Sequence, residues 1–387
     1  MRVLLIMECT IGGTRRHLRD LALGLSTRGH QVHVIAATLR DPGMLRDLDS
    51  FRAAGLGVTQ LDMVRAITPL RDGVHALSLA RRLPFRGYDV IHTHSSKAGA
   101  LGRCVAPLFS RAARVHTPHT YAASFDGGKG QGGDAPGPPG LILATERVLG
   151  RVTDRLIHVS EAERDEGQAL RVIPAARACV VPNGIDPDAF ANPSGGDALR
   201  VEFDIPASAP LVGTVGLLND AKGHDLLVEA LAQLPDNAHA LIVGHGELEA
   251  ELRAQAASLG LGERLHITGW RDDVLACLDA MDVFCLPSRW EGMSYALLEA
   301  MSAGKACVSS QVNGSPEALT PHDAEAAGRV VPRGDATALA AVLRELLDDA
   351  ALRTRFGQVA AARVRERFSL NAMLTNTLAV YEEARAR

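Results

Sequence analysis

The residues with the clearest chemical potential lie in one stretch, SRWEGMSYALLEAMSAG, at positions 288–304. It contains two carboxylates, Glu291 and Glu299, with seven residues between them. The apolar run 283–286 indicates a strand that ends in a loop, and apolar residues at helical spacing predict a helix over residues 295–302. Glu291 is therefore expected in the loop and Glu299 in the second turn of the helix.

Three backbone N–H groups lie between the two glutamates, those of Gly292, Met293 and Ser294. They begin the predicted helix and have no acceptor within it. Free N–H groups at the positive end of a helix dipole form a ready anion site. A carboxylate, an anion site and a second carboxylate suit, in that order, a sugar, its diphosphate and its ribose. The alternative is a solvated helix face, because glutamates are common on helices.

Length and composition limit the classes of protein to which the chain can belong. Its 387 residues suggest two domains, and its formal net charge of −4 gives no support to bulk binding of nucleic acid. The six cysteines are scattered without a Cys-x-x-Cys pair, which favours buried thiols in a reducing cytosol over disulfides or a zinc site. No stretch approaches the ~18 apolar residues of a transmembrane helix, so any membrane contact should be peripheral.

Short apolar runs alternate with helical patterns along the chain, which predicts α/β architecture with parallel sheets covered by helices on both faces. The first half closes with the turn motif VPNGID at residues 181–186, and the breaker-rich residues 191–198 follow as a linker. The strands are predicted at residues 3–7, 32–36, 58–61, 90–92, 114–116, 156–159 and 179–181, and then at 211–215, 240–243, 265–268, 283–286, 306–309 and 329–331.

Four histidines, His92, His94, His116 and His119, lie at or just past the carboxyl ends of predicted strands. Doubly wound sheets place their ligands at this edge. Each could instead be a histidine that is hydrogen-bonded to nearby backbone. Because carboxylate partners are missing nearby, a metal site at these histidines is not favoured.

Four motifs together carry a family resemblance: Gly12-Gly13, the HTPH of residues 116–119, Lys222-Gly223, and the glutamate pair. Over nearly its whole length the sequence resembles the retaining glycosyltransferases of family 4 (group 1), which have the GT-B fold. The resemblance implies two doubly wound, Rossmann-like domains facing a cleft. It implies an acceptor-side domain at residues 1–190, a nucleotide-sugar donor domain at 206–369, and a final helix at 370–387 that packs back on the first domain.

The resemblance also implies roles for individual residues. His119 and Glu291 would be catalytic, with Glu291 meeting hydroxyls of the donor sugar, while Glu299 holds the ribose and Lys222 the diphosphate. The implied donor-binding residues are Gly13, Gly216, Lys222, Gly244, Gly246, Arg271, Gly292, Met293, Ser294 and Glu299. The implied acceptor-side residues are His94, Thr120 and Tyr121. No metal and no other cofactor is expected.

One position departs from the family pattern, since Leu217 stands where an arginine is expected beside Gly216. In the family that arginine and the lysine hold the diphosphate together. A hydrogen bond to a charged group contributes about 1.5–3 kcal/mol, so donor affinity should be weaker unless another cation substitutes. Arg271 is the candidate substitute.

The favoured function is a retaining, metal-independent hexosyltransferase that moves a sugar from a nucleotide-diphosphate sugar, with UDP favoured, to a hydroxyl acceptor. Polysaccharide or glycolipid biosynthesis in the cytoplasm or at the inner membrane face would use such an enzyme. Same-face attack by the acceptor is favoured, since no second carboxylate has the spacing that retaining hydrolases use. The alternatives are a GT-B sugar-nucleotide epimerase or phosphorylase, and a catalytically weak nucleotide-sugar-binding protein.

Two features of the first half concern partners. The Gly/Pro-rich stretch at residues 124–140 borders the expected acceptor cleft or is an insertion without a role. Residues 71–120 hold eight Lys/Arg against two acids, a local charge of +6, with Phe85, Leu108 and Phe109 interleaved. This pattern fits an anionic membrane or a lipid-phosphate acceptor, or else an ordinary solvated face.

Overall fold

The computed structural model describes residues 1–83, 87–121 and 139–386. The sequence features at Phe85 and Arg86, and nearly all of the Gly/Pro-rich stretch at 124–140, lie outside these residues. Contacts divide the chain into two units. The N-terminal unit comprises Met1–Pro182 with Met373–Arg387, and the C-terminal unit comprises Asn183–Ala372.

The N-terminal unit is built on a seven-stranded parallel sheet in the order β3-β2-β1-β4-β5-β6-β7. Its strands are β1 (Arg2–Met7), β2 (Gln31–Ala36), β3 (Gly57–Gln60), β4 (Val90–His94), β5 (Ala113–Thr117), β6 (Arg155–His158) and β7 (Ala178–Val180). Its helices are α1 (Gly12–Thr27), α2 (Gly43–Ala53), α3 (Pro69–Arg82), α4 (Ser96–Phe109), α5 (Pro139–Arg151) and α6 (Glu161–Ala169). Successive strands are added to one side of β1 up to β3, and to its other side from β4 onward. The order of the strands therefore reverses between β1 and β4, and doubly wound sheets bind their ligands at such a reversal.

The C-terminal unit repeats this plan with six parallel strands in the order β10-β9-β8-β11-β12-β13. Its strands are β8 (Leu211–Val215), β9 (His239–Val243), β10 (Leu265–Ile267), β11 (Val283–Leu286), β12 (Ala306–Ser310) and β13 (Gly328–Val331). Its helices are α7 (Gly196–Glu202), α8 (His224–Leu231), α9 (Glu249–Ser258), α10 (Val274–Ala280), α11 (Tyr295–Ser302), α12 (Ser315–Leu319), α13 (Ala336–Asp348) and α14 (Ala350–Arg367). The equivalent reversal lies between β8 and β11.

The central strands are apolar on both faces because helices cover both sides of each sheet. In β1 every residue after Arg2 is buried, and β11 is buried throughout. Two doubly wound, Rossmann-like units are therefore confirmed. Among the described residues no helix combines the length and the apolar character needed to cross a bilayer.

The last helix, α15 (Leu370–Arg385), packs against the N-terminal unit from Met373 onward. Tyr381 Oη and His92 Nδ1 are 2.7 Å apart. The Leu374 side chain occupies the space where a Cβ at Gly24 would lie, so glycine permits the close approach of α15 to α1.

Two helices begin within glycine-containing sequence. Helix α1 begins at Gly12, so the glycine pair forms its first turn. Helix α7 lies partly within residues 191–198, where breakers predict a linker. The reason is tertiary, because the Gly196 N–H donates to Asp279 Oδ2 at 2.8 Å and the lack of a side chain lets Gly196 approach the backbone of α10.

Candidate functional site

Two loops of the C-terminal unit meet at the reversal between β8 and β11. The loop after β8 carries Lys222, and the loop after β11 carries Glu291. Lys222 Nζ donates to Glu291 Oε1 at 2.6 Å, and the two side chains are 17% and 8% exposed. A largely desolvated ammonium–carboxylate pair at the ligand-binding edge of a parallel sheet can exchange its partners for the charged groups of a ligand.

Neighbouring residues hold these two loops together. Ser288 Oγ donates to Glu291 Oε1 at 2.8 Å, and the Arg289 N–H donates to the Ala221 carbonyl at 2.8 Å. The Arg289 guanidinium also donates to both carboxylate oxygens of Asp225 at the start of α8. Although burial alone would raise the pKa of Asp225, the hydrogen bond from Arg289 lowers it. Ser288 and Arg289 are not among the site residues predicted from the sequence. Their positions three and two residues before Glu291 are the sequence feature that could have indicated them.

Helix α11 begins at Tyr295, four residues after Glu291, and matches the predicted helix at both ends. The Ser294 side chain caps the helix by accepting from the Leu297 N–H, and the Met293 carbonyl accepts from Asn183 Nδ2 at 2.8 Å. Glu299 lies in the second turn and is 8% exposed. The structure therefore places the N-terminal turn of α11 between the two predicted glutamates, with buried residues fixing its position.

Glycines allow the loops after β8 and β9 to pack backbone against backbone. A Cβ at Gly244, whose φ is 146°, would collide with the Gly216 carbonyl. A Cβ at Gly246 would collide with the Leu218 backbone, and one at Gly216 would lie 3.5 Å from the Lys222 side chain. These glycines thus bring the Lys222 loop close to the end of β9.

Arg271 takes part in a different set of contacts. Its guanidinium donates to both oxygens of Asp273, at 2.7 Å, and to both oxygens of Glu202 at the end of α7, at 2.7 and 3.1 Å. The hydrogen bonds that Arg271 donates to Asp273 and then to Glu202 raise the pKa of Arg271. The structure ties Arg271 to α7. Arg289 is a guanidinium that the structure brings to the Lys222 loop, where it donates to the Asp220 carbonyl.

In the N-terminal unit, three histidines meet at the reversal between β1 and β4. His17 lies on α1, His94 ends β4 and His119 follows β5. His94 Nδ1 and His119 Nε2 are 3.1 Å apart, and the His17 ring centre is 4.6 Å from that of His119 and 5.4 Å from that of His94. His17 is not among the predicted site residues. The sequence feature that could have indicated His17 is its position one helical turn after Gly13, on the same face of α1.

The other two histidines of the predicted group support the structure around it. His92 pairs through Nδ1 with Tyr381 and through Nε2 with Thr117 Oγ1, at 2.8 Å. His116 Nδ1 lies 2.9 Å from Thr93 Oγ1. Both histidines are buried.

Backbone strain is concentrated at the same strand ends. Ser95 after β4 has φ 64°, and His119 and Thr120 after β5 have φ 60° and 129°. Residues other than glycine rarely occupy this left-handed region, and they persist there only when their surroundings hold them. Clusters of such residues are typical of ligand-binding and catalytic sites.

Burial keeps the strand-end histidines neutral. Desolvation lowers the pKa of His92, His94, His116 and His119 well below the usual value of about 6.5, and neighbouring imidazoles lower it further. A neutral imidazole has one nitrogen that donates and one that accepts. A neutral His119 can therefore accept a hydrogen bond through one ring nitrogen.

Two further predicted residues lie close in sequence but differ in setting. Gly13 is exposed in the first turn of α1. Tyr121 is 4% exposed and packs in an apolar cluster with Leu156, Val172 and Ile173, while its hydroxyl pairs with His158 Nε2 at 2.7 Å. Tyr121 is thus a core residue whose hydroxyl is satisfied, and the structure does not group it with the histidine site.

The Tyr121–His158 contact leads to a prediction about acid stability. Burial lowers the pKa of His158 to about 4, against about 6.5 in an unfolded chain. As the pH falls below 6.5 the unfolded chain binds this proton first, so the stability present above pH ~6.5 is lost as the pH falls toward ~4. In His158→Gln, the free energy of unfolding should depend less steeply on pH in this window, by up to about 1.4 kcal/mol per pH unit. Urea unfolding at several pH values measures the slope.

The exposed His322 provides a matched control for that experiment. If His322→Gln and His158→Gln change the slope equally, removal of any imidazole would account for the result. A slope in His158→Gln equal to that of the wild type would show that the buried histidine is not protonated preferentially in the unfolded chain.

The basic residues counted over positions 71–120 do not all contribute to the surface. Lys97 pairs with Asp72 at 2.6 Å. Arg103 is buried and bonds both oxygens of Glu146 at 2.8 Å, and Arg114 bonds Asp154. The sequence count of +6 therefore overestimates the surface charge, because partners outside that window neutralise two of the eight cations.

What the structure does expose is an apolar stripe on α3. Leu70, Val74 and Leu77 follow one another at helical spacing and are 89%, 66% and 50% exposed. Arg71 and Arg81 are also exposed on this helix. An amphipathic helix with apolar and basic exposed residues is typical of interfacial membrane binding.

Comparison with known proteins agrees with this architecture. A model of Glycosyltransferase Family 4 matches residues 11–189, and a model of Glycosyl transferases group 1 matches residues 197–363. A sucrose-phosphate synthase from Thermosynechococcus elongatus superposes with a TM-score of 0.81 at 23% identity, over 100% of both chains. HepE from Anabaena, in complex with UDP, gives a TM-score of 0.78 at 21% identity, over 99% of this chain and 100% of that one. The fold is that of the GT-B glycosyltransferases.

Relatives with higher sequence identity define the family. A D-inositol 3-phosphate glycosyltransferase of Kineococcus radiotolerans is 31% identical over 400 aligned positions, covering 96% of this chain and 91% of the relative. The UDP-Gal:alpha-D-GlcNAc-diphosphoundecaprenol alpha-1,3-galactosyltransferase of Escherichia coli is 33% identical over 261 positions, 65% of each chain. The chain belongs to the group 1 glycosyltransferases of family 4 and is a glycosyltransferase, which excludes the epimerase and phosphorylase alternatives.

Proposed function

We propose that this glycosyltransferase moves a sugar from a nucleoside-diphosphate sugar, with UDP as the favoured carrier, to a hydroxyl acceptor with retention of anomeric configuration. The observation that carries the proposal is the Lys222–Glu291 pair, 2.6 Å apart at the reversal of the C-terminal sheet. Two relatives add support from their names, since one uses UDP-Gal and one structure holds UDP.

The pair provides a way to receive the donor. A diphosphate is a stronger partner for Lys222 than one carboxylate, so donor binding draws Lys222 toward the phosphates and leaves Glu291 for the sugar hydroxyls. The N–H groups of Met293 and Ser294 at the start of α11 add fixed dipoles directed at the anion. Both stabilise the charge that develops on the leaving diphosphate, so no metal is needed for this step. Glu299, one turn further on, holds the ribose.

Retention is assigned to same-face attack rather than to a covalent enzyme intermediate. Glu291 accepts a hydrogen bond from Ser288, and in the donor complex it accepts from the sugar hydroxyls; both kinds of hydrogen bond fix its orientation and lower its nucleophilicity. His119, neutral and held by a strained backbone, positions the attacking hydroxyl. His94 and Thr120 lie at the same strand ends and line the acceptor side. Leu217 leaves Lys222 without the family arginine, so a modest donor affinity is expected.

The favoured acceptor is a lipid-linked saccharide of polysaccharide or glycolipid biosynthesis, used at the cytoplasmic face of a membrane. The exposed apolar stripe of α3 supports this choice, as does the lipid diphosphate in the name of the Escherichia coli relative. The alternative is a small phosphorylated acceptor, as in the name of the Kineococcus radiotolerans relative, a D-inositol 3-phosphate glycosyltransferase.

A panel of donors and acceptors tests the proposal. UDP-, GDP- and ADP-linked hexoses are each combined with a lipid-diphosphate saccharide and with an inositol phosphate, and NMR of the product gives the anomeric configuration. We expect transfer from a UDP-sugar to the lipid-linked acceptor with retention. Inversion would contradict the same-face mechanism, and binding of donors without turnover on any acceptor would contradict an active enzyme with these substrates.

The membrane contact makes a separate prediction. In Leu70→Asp and Val74→Asp, vesicles containing anionic lipid should bind the protein at least about tenfold more weakly, because burial of one such side chain contributes about 1.5–3 kcal/mol. Sedimentation with vesicles measures the bound fraction. Val201, 77% exposed in the C-terminal unit, provides the control Val201→Asp. Absence of vesicle binding by the wild type at low salt would rule out the contact.

A further inference from the structure

Three imidazoles from three elements share one small volume in the N-terminal unit. One ring nitrogen from each of His17, His94 and His119 lies within 4.8 Å of the other two. The nitrogens of His94 and His119 are 3.1 Å apart. With metal–nitrogen bonds of about 2.0–2.1 Å, two ligands of a tetrahedral ion are separated by about 3.3–3.4 Å. The pair already has nearly this spacing, and His17 must approach by about 1 Å.

The hydrogen bonding of His94 points to an additional ligand. Its Nε2 is buried and has no hydrogen-bond partner among the described residues. The contact between His94 and His119 uses one hydrogen, so whichever ring donates it, Nε2 of His94 remains unsatisfied. A buried polar atom without a partner is costly, so His94 has a second ring nitrogen, besides the Nδ1 that faces His119, that gains by taking up a ligand.

The surroundings hold the three rings in place. His92 packs against His94 with 3.9 Å between ring centres and a tilt of 40° between the rings, and hydrogen bonds at both of its own nitrogens fix its ring. The left-handed backbone of His119 sets the direction of that side chain. Ligands that neighbouring groups hold in place bind metal more tightly than mobile ones.

We propose that His17, His94 and His119 form a site for a divalent transition-metal ion, with Zn²⁺ as the reference ion. Three imidazoles suit Zn²⁺, Ni²⁺ or Cu²⁺, whereas Mg²⁺ and Ca²⁺ require oxygen ligands. Three protein ligands leave a fourth position of the ion open to water or to a bound ligand. The three ligands belong to the N-terminal unit, whereas the residues assigned to the diphosphate belong to the C-terminal unit.

The site has a consequence that rests on the proposed function. A metal ion takes up the lone pair of His119, so the ring can no longer accept from the acceptor hydroxyl. Zn²⁺ should therefore inhibit transfer over the same concentration range in which it binds, and Mg²⁺ should not. In His17→Gln, the inhibition by Zn²⁺, measured relative to the rate of that variant without metal, should largely disappear.

Direct titration tests the site without reference to activity. The full-length protein, stripped with a chelator, is titrated with Zn²⁺ by calorimetry, and with Co²⁺ by absorption spectroscopy. We expect a single ion per chain with a micromolar or lower dissociation constant. In His17→Gln this dissociation constant should rise at least about tenfold. Loss of a group that only supports a metal ligand already lowers metal affinity by about 10- to 100-fold.

Controls separate this site from others on the chain. His239 and His266 form an imidazole pair in the C-terminal unit, 2.9 Å apart, and His239→Gln should leave the titration unchanged. Circular dichroism and thermal melting show whether His17→Gln folds, and His119→Gln replaces it if it does not. Absence of binding, undiminished binding in a folded ligand variant, or a Co²⁺–thiolate absorption band would overturn the proposal. Binding without inhibition would instead contradict the role of His119 and leave the metal site standing.

Discussion

Replacement of Glu291 by glutamine is expected to lower kcat/KM for sugar transfer about 100-fold, near the upper end of the ~1.5–3 kcal/mol that a hydrogen bond to a charged group contributes. Glutamine preserves the shape of the side chain and one oxygen, which can still accept from Ser288. It replaces the second oxygen by an NH₂ group, which cannot accept from a sugar hydroxyl. The variant should therefore fold but position the donor sugar poorly.

The same variant should bind UDP as tightly as the wild type or more tightly. UDP carries no sugar, and Lys222 no longer has a carboxylate that competes with the diphosphate. Steady-state kinetics and calorimetry with UDP measure the two effects separately. Glu251→Gln, on the exposed side of α9, is the matched control. If kcat/KM of Glu291→Gln lies within about threefold of the wild-type value, a difference of less than 1 kcal/mol, Glu291 does not act on the reacting sugar.

Replacement of Lys222 by methionine is expected to weaken UDP binding by about 1.5–3 kcal/mol, or roughly 10- to 150-fold. The loss includes the attraction between the ammonium and the diphosphate. It also includes repulsion, since Glu291 is 8% exposed and keeps a negative charge that Lys222 had compensated. The free energy of unfolding should fall for the same reason, because a nearly buried carboxylate loses its charged partner.

A double-mutant cycle separates these two contributions. The combined variant Lys222→Met/Glu291→Gln should recover stability, because no uncompensated charge remains, but should still bind UDP weakly. Arg253→Ala removes an exposed cation from α9 and serves as the control for nonspecific charge. Unchanged UDP affinity in Lys222→Met would place the diphosphate elsewhere in the protein.

Local sequence signals predict the donor helix well. The bounds of α11 follow from its apolar spacing, from Ser294 as its cap and from the glycine after it, all of which lie within the helix or next to it. The alternation of elements also predicts the parallel sheets with helices on both faces. The strand order of the structure, with β8 beside β11, then brings Lys222 and Glu291 together although they are 69 residues apart.

The sequence did not predict which side chains distant along the chain contact one another. The position of Tyr121 beside His119 suggests a site residue, but the chain turns after Thr120 and buries the ring against β6. Arg271 is a loop cation by sequence, whereas its partner Glu202 comes from a helix that breaker residues conceal. His17 was missed for a related reason, because only the contact of α1 with the ends of β4 and β5 brings it to His94 and His119.

The central claim is that the C-terminal unit holds the diphosphate of an activated sugar between Lys222 and the start of α11. A crystal structure of the protein with UDP tests it most directly. The account predicts phosphate oxygens within hydrogen-bonding distance, about 2.7–3.2 Å, of Lys222 Nζ and of the N–H groups of Met293 and Ser294. The ribose hydroxyls should then contact Glu299. A complex in which Lys222 still pairs with Glu291 and the diphosphate is bound by other residues would contradict it.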